Sequence, residues 1–171
     1  MLDKSNTLKT LEMFFEHPTT EFHIRELSRK TGISAPTVLL AVDALKKRGL
    51  VAAYKKGNMK IVKASGSTEF IRAKRIANIQ RAYDSGIIDY LSDLYEKPQA
   101  IILFGSFSRG DDIEKSDIDI AILTRSHMEP KLEAFERKLG KHVSIHEIDR
   151  KKISKEFYSN LANGIVMEGA L

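Results

Sequence analysis

Two short segments carry the residues best suited to chemistry. Gly105-Ser106 closes the apolar run at 100–104 (AIILF), and Asp117-Ile118-Asp119 opens the apolar run at 118–123 (IDIAIL). Side chains alternate faces along an extended strand, so Asp117 and Asp119 share one face. Two carboxylates on one face repel each other, and their usual justification is a shared divalent cation, most often Mg²⁺ where phosphate is handled. Gly105 has no Cβ and lets the backbone approach a phosphate. Ser106 offers a hydroxyl and an N–H at the start of the helix expected after it. Arg109 can add positive charge beside a triphosphate. A lone Gly-Ser or a lone Asp-x-Asp has little meaning. Here ten residues separate Ser106 from Asp117, and each pair flanks an apolar strand, which makes the combination specific.

The chain around this pair has 171 residues, 42% apolar and 30% charged, which suits two small folded domains. It has no cysteine, so thiol nucleophiles, disulfides and Cys-ligated zinc are excluded and a reducing compartment is suitable. The N-terminus lacks an apolar core of signal-peptide length, and no run approaches the roughly 18 apolar residues of a membrane helix. A cytoplasmic protein without membrane contact is expected. Charge divides unevenly at the Asp84-Ser85-Gly86 break. Residues 1–83 carry 16 Lys/Arg against 7 Asp/Glu, a net +9, and residues 84–171 carry 12 against 16, a net −4. A basic module suits a polyanion, and a carboxylate-rich module suits metal-assisted chemistry.

The basic half reads as helices over 7–16, 23–31 and 35–48, then two alternating strands around Lys56-Gly57-Asn58. Gly32 supplies the turn between the second and third helices, Ser34 an N-cap, and Val38, Val42 and Leu45 a buried stripe. Residues 67–83 read as a basic amphipathic connecting helix. Over roughly residues 7–64 this order resembles the winged helix-turn-helix of DNA-binding transcriptional regulators. The resemblance rests on Leu27, Gly32, Ile33, Ser34, Thr37, Val38, Val42, Leu45, Gly49, Leu50 and Val51. It implies groove contacts from Ser34, Ala35 and Thr37 and phosphate contacts from Lys46, Lys47, Arg48, Lys55, Lys56 and Lys60 on double-stranded DNA, commonly as a homodimer. Leu39, Leu40 and Ala41, where polar readers usually stand, cannot hydrogen-bond a base edge, so this face also suits a protein partner.

Residues 84–171 resemble the polymerase-beta nucleotidyltransferase superfamily, especially its minimal members, whose pattern is Gly-Ser, ten residues, then Asp-x-Asp. Gly105-Ser106 and Asp117-Ile118-Asp119 carry the match, with Arg109-Gly110 and Ser116 in familiar places. The expected class is therefore α+β: an N-terminal winged helix-turn-helix (1–66), a connecting helix (67–83) and a small nucleotidyltransferase α/β domain with a short mixed sheet (84–171). The resemblance implies helices at 87–95, 130–139 and 152–163 and a third strand at 142–148. It also implies that Mg²⁺, held by Asp117 and Asp119, bridges to a nucleoside triphosphate, ATP foremost, bound by Gly105, Ser106, Arg109 and Ser116. A nucleoside monophosphate, AMP foremost, would pass to a hydroxyl acceptor. A partner-protein tyrosine is one candidate, as in antitoxins that adenylylate a partner toxin.

Many members carry a third carboxylate on the next strand. In HVSIHEID the aligned position is Ser144, and the same-face neighbour is His146, whose imidazole titrates near neutrality and could serve as a base. Glu147 falls on the opposite face of a regular strand, and a bulge could bring it in. Two functions are therefore expected to compete: an NMP-transferring enzyme with a DNA-binding module, or a transcriptional regulator whose nucleotidyltransferase domain binds nucleotide or a partner without turnover.

Overall fold

The computed structural model describes residues 6–149, 161 and 163–170. The chain forms two compact units, Met1–Ala73 and Lys74–Leu171, and the division falls inside a helix, Thr68–Ser85 (α4).

In the first unit, α1 (Asn6–Glu16) buries Leu11, Phe14 and Phe15, and the Thr10 hydroxyl satisfies the Asn6 carbonyl at 2.8 Å. A two-residue strand, β1 (Phe22–His23), leads into α2 (Ile24–Thr31), whose first turn is capped by His23: its Nδ1 accepts from the Glu26 amide at 3.1 Å. Gly32, at φ +69°, ends α2 in the left-handed conformation that only glycine adopts without penalty. Ser34 then caps α3 (Ala35–Lys47), with Pro36 in its first turn, where a missing N–H costs nothing. Val38, Ala41, Val42 and Leu45 face inward. Strands β2 (Val51–Lys56) and β3 (Met59–Ala64) form the expected hairpin. Lys56 pairs with Met59, leaving Gly57-Asn58 as the turn. The sheet order is β1-β3-β2, and Phe22 sets the extra strand by packing its ring edge-on against Phe14 at 5.7 Å.

The second unit is a mixed sheet with helices. After α4 come α5 (Ile87–Leu94), β4 (Ala100–Phe104), α6 (Gly105–Arg109), β5 (Ile118–Leu123), α7 (Glu133–Leu139), β6 (Val143–Ile148) and β7 (Ile165–Gly169). The strand order is β6-β5-β4-β7, with β5 and β6 parallel and the other pairs antiparallel. A parallel pair needs a crossover, and the segment containing α7 supplies it. All five residues of β4 are buried. Ile101, Leu103, Ile118, Ile120 and Ile122 pack with α5 residues Ile87, Ile88 and Leu91. On the other face Ala100, Ile102, Phe104, Ala121 and Leu123 join Ile148 and Leu161. Burial on both faces explains why these strands read as nearly continuous apolar runs. The helix expected from 130 begins only at Glu133, and the Lys131 amide before it donates to the Tyr90 hydroxyl at 2.9 Å. Strand β7 was not expected, and most of the helix expected over 152–163 lies outside the described residues.

Candidate functional site

The sheet brings the two motif segments together. Phe104, the last residue of β4, pairs with Asp119 of β5, which in turn pairs with Ser144 of β6. Gly105 therefore turns out of β4 beside the start of β5, at φ +73°. A Cβ at Gly105 would lie 2.3 Å from Asp119 Oδ2 and 3.2 Å from its Cγ. Only glycine leaves the Asp119 carboxylate this space. Asp119 is half-buried, on the sheet face that carries Ala121 and Leu123, and Asp117 is exposed immediately before the strand.

The other expected participants divide. Ser106 is half-buried in the first turn of α6, next to the carboxylate face. Arg109 lies at the far end of α6 and pairs through Nε with Asp111 Oδ2 at 3.1 Å, both side chains about half exposed. Ser116 closes a turn instead: its Oγ accepts from the Ile113 amide at 3.0 Å, and its own amide donates to the Ile113 carbonyl at 3.1 Å. On β6, His146 stands on the same face as Asp119, its Nε2 3.4 Å from Asp119 Oδ1 and its ring edge-on to Phe104 at 5.2 Å.

Glu147 turns to the opposite face, where its carboxylate accepts from the Tyr95 hydroxyl (2.7 Å) and the Met128 amide (2.7 Å) and pairs with His127 (2.5 Å). Burial pushes the Glu147 carboxyl up, but these three bonds outweigh it and hold the group below the ordinary range. Burial, then the bond to Glu147, pushes the Tyr95 hydroxyl strongly up. Glu147 is thus a structural anchor for the loop at 124–132 and does not replace the third carboxylate.

The donor set at Asp117 and Asp119 fits a hard divalent cation. Both donors are carboxylate oxygens, one is held against a cradle that a Cβ would fill, and among the described residues no lysine or arginine pairs with either. No set of three or more metal-ligating side chains converges among the described residues, so a Mg²⁺ there would take its remaining oxygens from phosphate and water.

A buried polar cluster around the segment between α6 and β5 was not expected from the sequence. Asp112, in the segment between α6 and β5, is fully enclosed, and its Oδ1 lies 3.1 Å from Lys74 Nζ and 2.8 Å from Asn78 Nδ2, both on α4. Lys74 also donates to the Asp112 carbonyl, and Asn78 to the Phe107 carbonyl at 2.9 Å. Lys141 Nζ sits 3.2 Å from Asp112 Oδ2, near enough for Coulomb attraction but out of line for a hydrogen bond. Its donated bonds go to the carbonyls of Ile113 (2.5 Å) and Ser116 (3.3 Å). Burial holds the Lys74 ammonium below the usual lysine range, with Asp112 partly opposing it. The available signal was periodicity: Phe70, Lys74, Asn78 and Ala82, four residues apart, form one buried stripe with two polar members.

In the first unit the expected DNA-contacting residues occupy separate places. Ser34, Ala35 and Thr37 lie at the start of α3, where Ser34 Oγ and Thr37 Oγ1 share a hydrogen bond at 2.8 Å. Lys46, Lys47 and Arg48 are exposed at its other end, and Lys55 and Lys56 at the tip of the hairpin. Lys60 is engaged by Asp43 of α3 at 2.8 Å, which holds the Asp43 carboxyl below its usual range. Leu40 is 72% and Leu39 37% exposed, whereas Ala41, expected beside them, faces the core.

A mixed sheet with Gly-Ser at one strand end and Asp-x-Asp on its neighbour defines a nucleotidyltransferase-type domain. Residues 86–170 match the family described as polymerase beta, nucleotidyltransferase, and this stretch is a domain of that family. Among solved structures the chain is similar to a possible transcriptional regulator from Methanosarcina mazei Go1, at 18% identity over 52% of this chain and 77% of that one, with a TM-score of 0.37. It is also similar to the PcaV transcriptional regulator from Streptomyces coelicolor, solved with its natural ligand, at 17% identity over 54% and 69%, with a TM-score of 0.40. No curated protein matches the chain. Among the described residues no helix is long and apolar enough to cross a membrane.

Proposed function

We propose that the C-terminal unit binds a Mg-nucleoside triphosphate, ATP foremost, and transfers its nucleoside monophosphate to a hydroxyl acceptor. The observation that carries this reading is the Phe104–Asp119 pairing, which sets a carboxylate against the bare Cα of Gly105. Asp117 and Asp119 are the metal holders, and the Gly105-Ser106 turn faces the phosphates with backbone N–H and hydroxyl donors. When bound, Mg²⁺ neutralises phosphate charge and orients the triphosphate. The acceptor oxygen forms a bond to the α-phosphorus, the bond to the bridging oxygen breaks, and pyrophosphate leaves. The imidazole of His146 on that sheet face takes the hydroxyl proton at the ring nitrogen turned away from Asp119, since Nε2 faces the Asp119 carboxylate as a donor. Arg109 and Ser116 are bound to their own loop and play at most a supporting part.

The N-terminal unit is read as a winged helix-turn-helix on double-stranded DNA. The α2–Gly32–α3 corner, the β2–β3 hairpin and the exposed cations at 46–48 and 55–56 support this. A tyrosine of a partner protein, such as a toxin, is the acceptor that best suits a DNA-binding module on the same chain. One observation favours a second reading, a regulator that binds nucleotide without turnover: Ser144 stands in register with Asp119, the position aligned with the third carboxylate that many superfamily members carry. Labelling decides between them. Transfer of label from α-³²P-ATP but not γ-³²P-ATP to a protein acceptor supports the enzyme, and nucleotide binding with no transfer supports the regulator.

A further inference from the structure

We propose that Lys141, seated on buried Asp112, is a positioning residue that holds Asp117 in place from behind. The inference rests on the reading of Asp117 as a nucleotide-site residue. The segment from Gly110 to Asp117 has no strand or helix of its own and is rich in charge, so it needs external ties to keep one conformation. Two adjacent residues supply them on either side of Asp117. The Lys141 ammonium donates to the carbonyl of Ser116, and the carbonyl of His142 accepts from the amide of Ile118 at 2.9 Å. Lys141 also donates to Ile113, the residue on which the Ser116 side chain folds back. Asp112 in turn holds Lys141 and is itself anchored on α4 by Lys74 and Asn78.

Burying a carboxylate with two ammonium groups is an expensive way to fill space, since desolvation of each ion offsets most of the mutual attraction. Apolar side chains of the same volume would serve packing equally well. What they could not do is donate to two loop carbonyls while pinned by a carboxylate, which is what fixes the main chain beside Asp117.

The cluster contains two ammonium groups for one carboxylate, so Lys141→Met leaves the matched Lys74–Asp112 pair and an intact fold. The test combines hydrogen exchange of the full chain with Mg-ATP calorimetry. Lys141→Met is expected to accelerate exchange at residues 113–118 by about tenfold or more, to leave β4 unchanged, and to weaken Mg-ATP by about tenfold. Lys141→Arg, which keeps charge and donors, is expected to recover most of both. Should Lys141→Met fail to fold, Lys74→Met loosens the same segment from its other anchor, with the same local acceleration expected. Unchanged exchange at 113–118, or acceleration spread evenly over the second unit, overturns the inference. If the unaltered protein does not bind Mg-ATP, the nucleotide reading falls, and the exchange pattern alone still decides whether Lys141 positions this segment.

Discussion

The Oδ2 atom of Asp119 occupies the space a Cβ would take at Gly105, 2.3 Å from where that atom would lie. Gly105→Ala therefore does two things: it forces a side chain onto a residue at φ +73°, at a cost of about 1–2 kcal/mol, and it displaces the carboxylate. Mg-ATP affinity measured by calorimetry is expected to fall tenfold or more. Unchanged affinity would show that the carboxylate's placement against the turn is irrelevant to binding.

The charge imbalance around Asp112 makes its variants unequal. Asp112→Ala leaves two buried ammonium groups without their carboxylate and is expected to cost about 3–5 kcal/mol in urea unfolding at pH 7, well above the cost of Lys74→Met. The pH dependence has a definite sign. Lys74 in the folded state lies below its unfolded value of 10.5, so between the two the unfolded chain binds more protons and stability rises with pH. Lys74→Met should remove that rise.

The loop at 124–132 should be pH-sensitive through His127 and Glu147. The bond to Glu147 raises the His127 imidazole above 6.5, so its contribution is complete below 6.5 and is lost as pH rises through the folded value. The Glu147 carboxyl is lowered from 4.5, so its contribution is present above 4.5 and is lost as pH falls through the folded value. The loop is therefore held best between pH 4.5 and 6.5. An NMR titration should place the His127 midpoint above 6.5 and lower it in Glu147→Gln.

On DNA, the cations of the hairpin should not behave alike. Lys55 and Lys56 are exposed, whereas Lys60 is bound to Asp43. In a salt series followed by anisotropy, each of Lys55→Ala and Lys56→Ala should reduce the slope of log K against log salt by about 0.9. Lys60→Ala should change it less. Equal slopes for all three variants and the unaltered protein would remove the hairpin from the DNA interface.

Features written in local order were legible in the sequence. The alternation of Asp117 and Asp119 against Ile118 and Ile120 located β5, the Gly-Ser turn located the end of β4, and the Val38, Val42, Leu45 stripe located the buried face of α3. What depends on distant pairing was not. Lys74 and Asp112 carry no mark of a shared site in the sequence, because their burial follows from meeting across 38 residues of chain. Lys60 reads in the sequence as available for phosphate, whereas Asp43, 17 residues away, engages it. Strand β7 was illegible for a different reason: it is an edge strand that buries only Met167, so it shows no clear alternation.

The central claim is a working Mg-triphosphate site on Asp117 and Asp119. Titration of ATP into the protein by calorimetry, with and without Mg²⁺ and beside the Asp117→Asn/Asp119→Asn variant, tests it most directly. The expected result is Mg-dependent binding with a Kd below about 1 mM that is lost in the variant. Absence of binding at that nucleotide concentration, or binding that survives both substitutions, would contradict it.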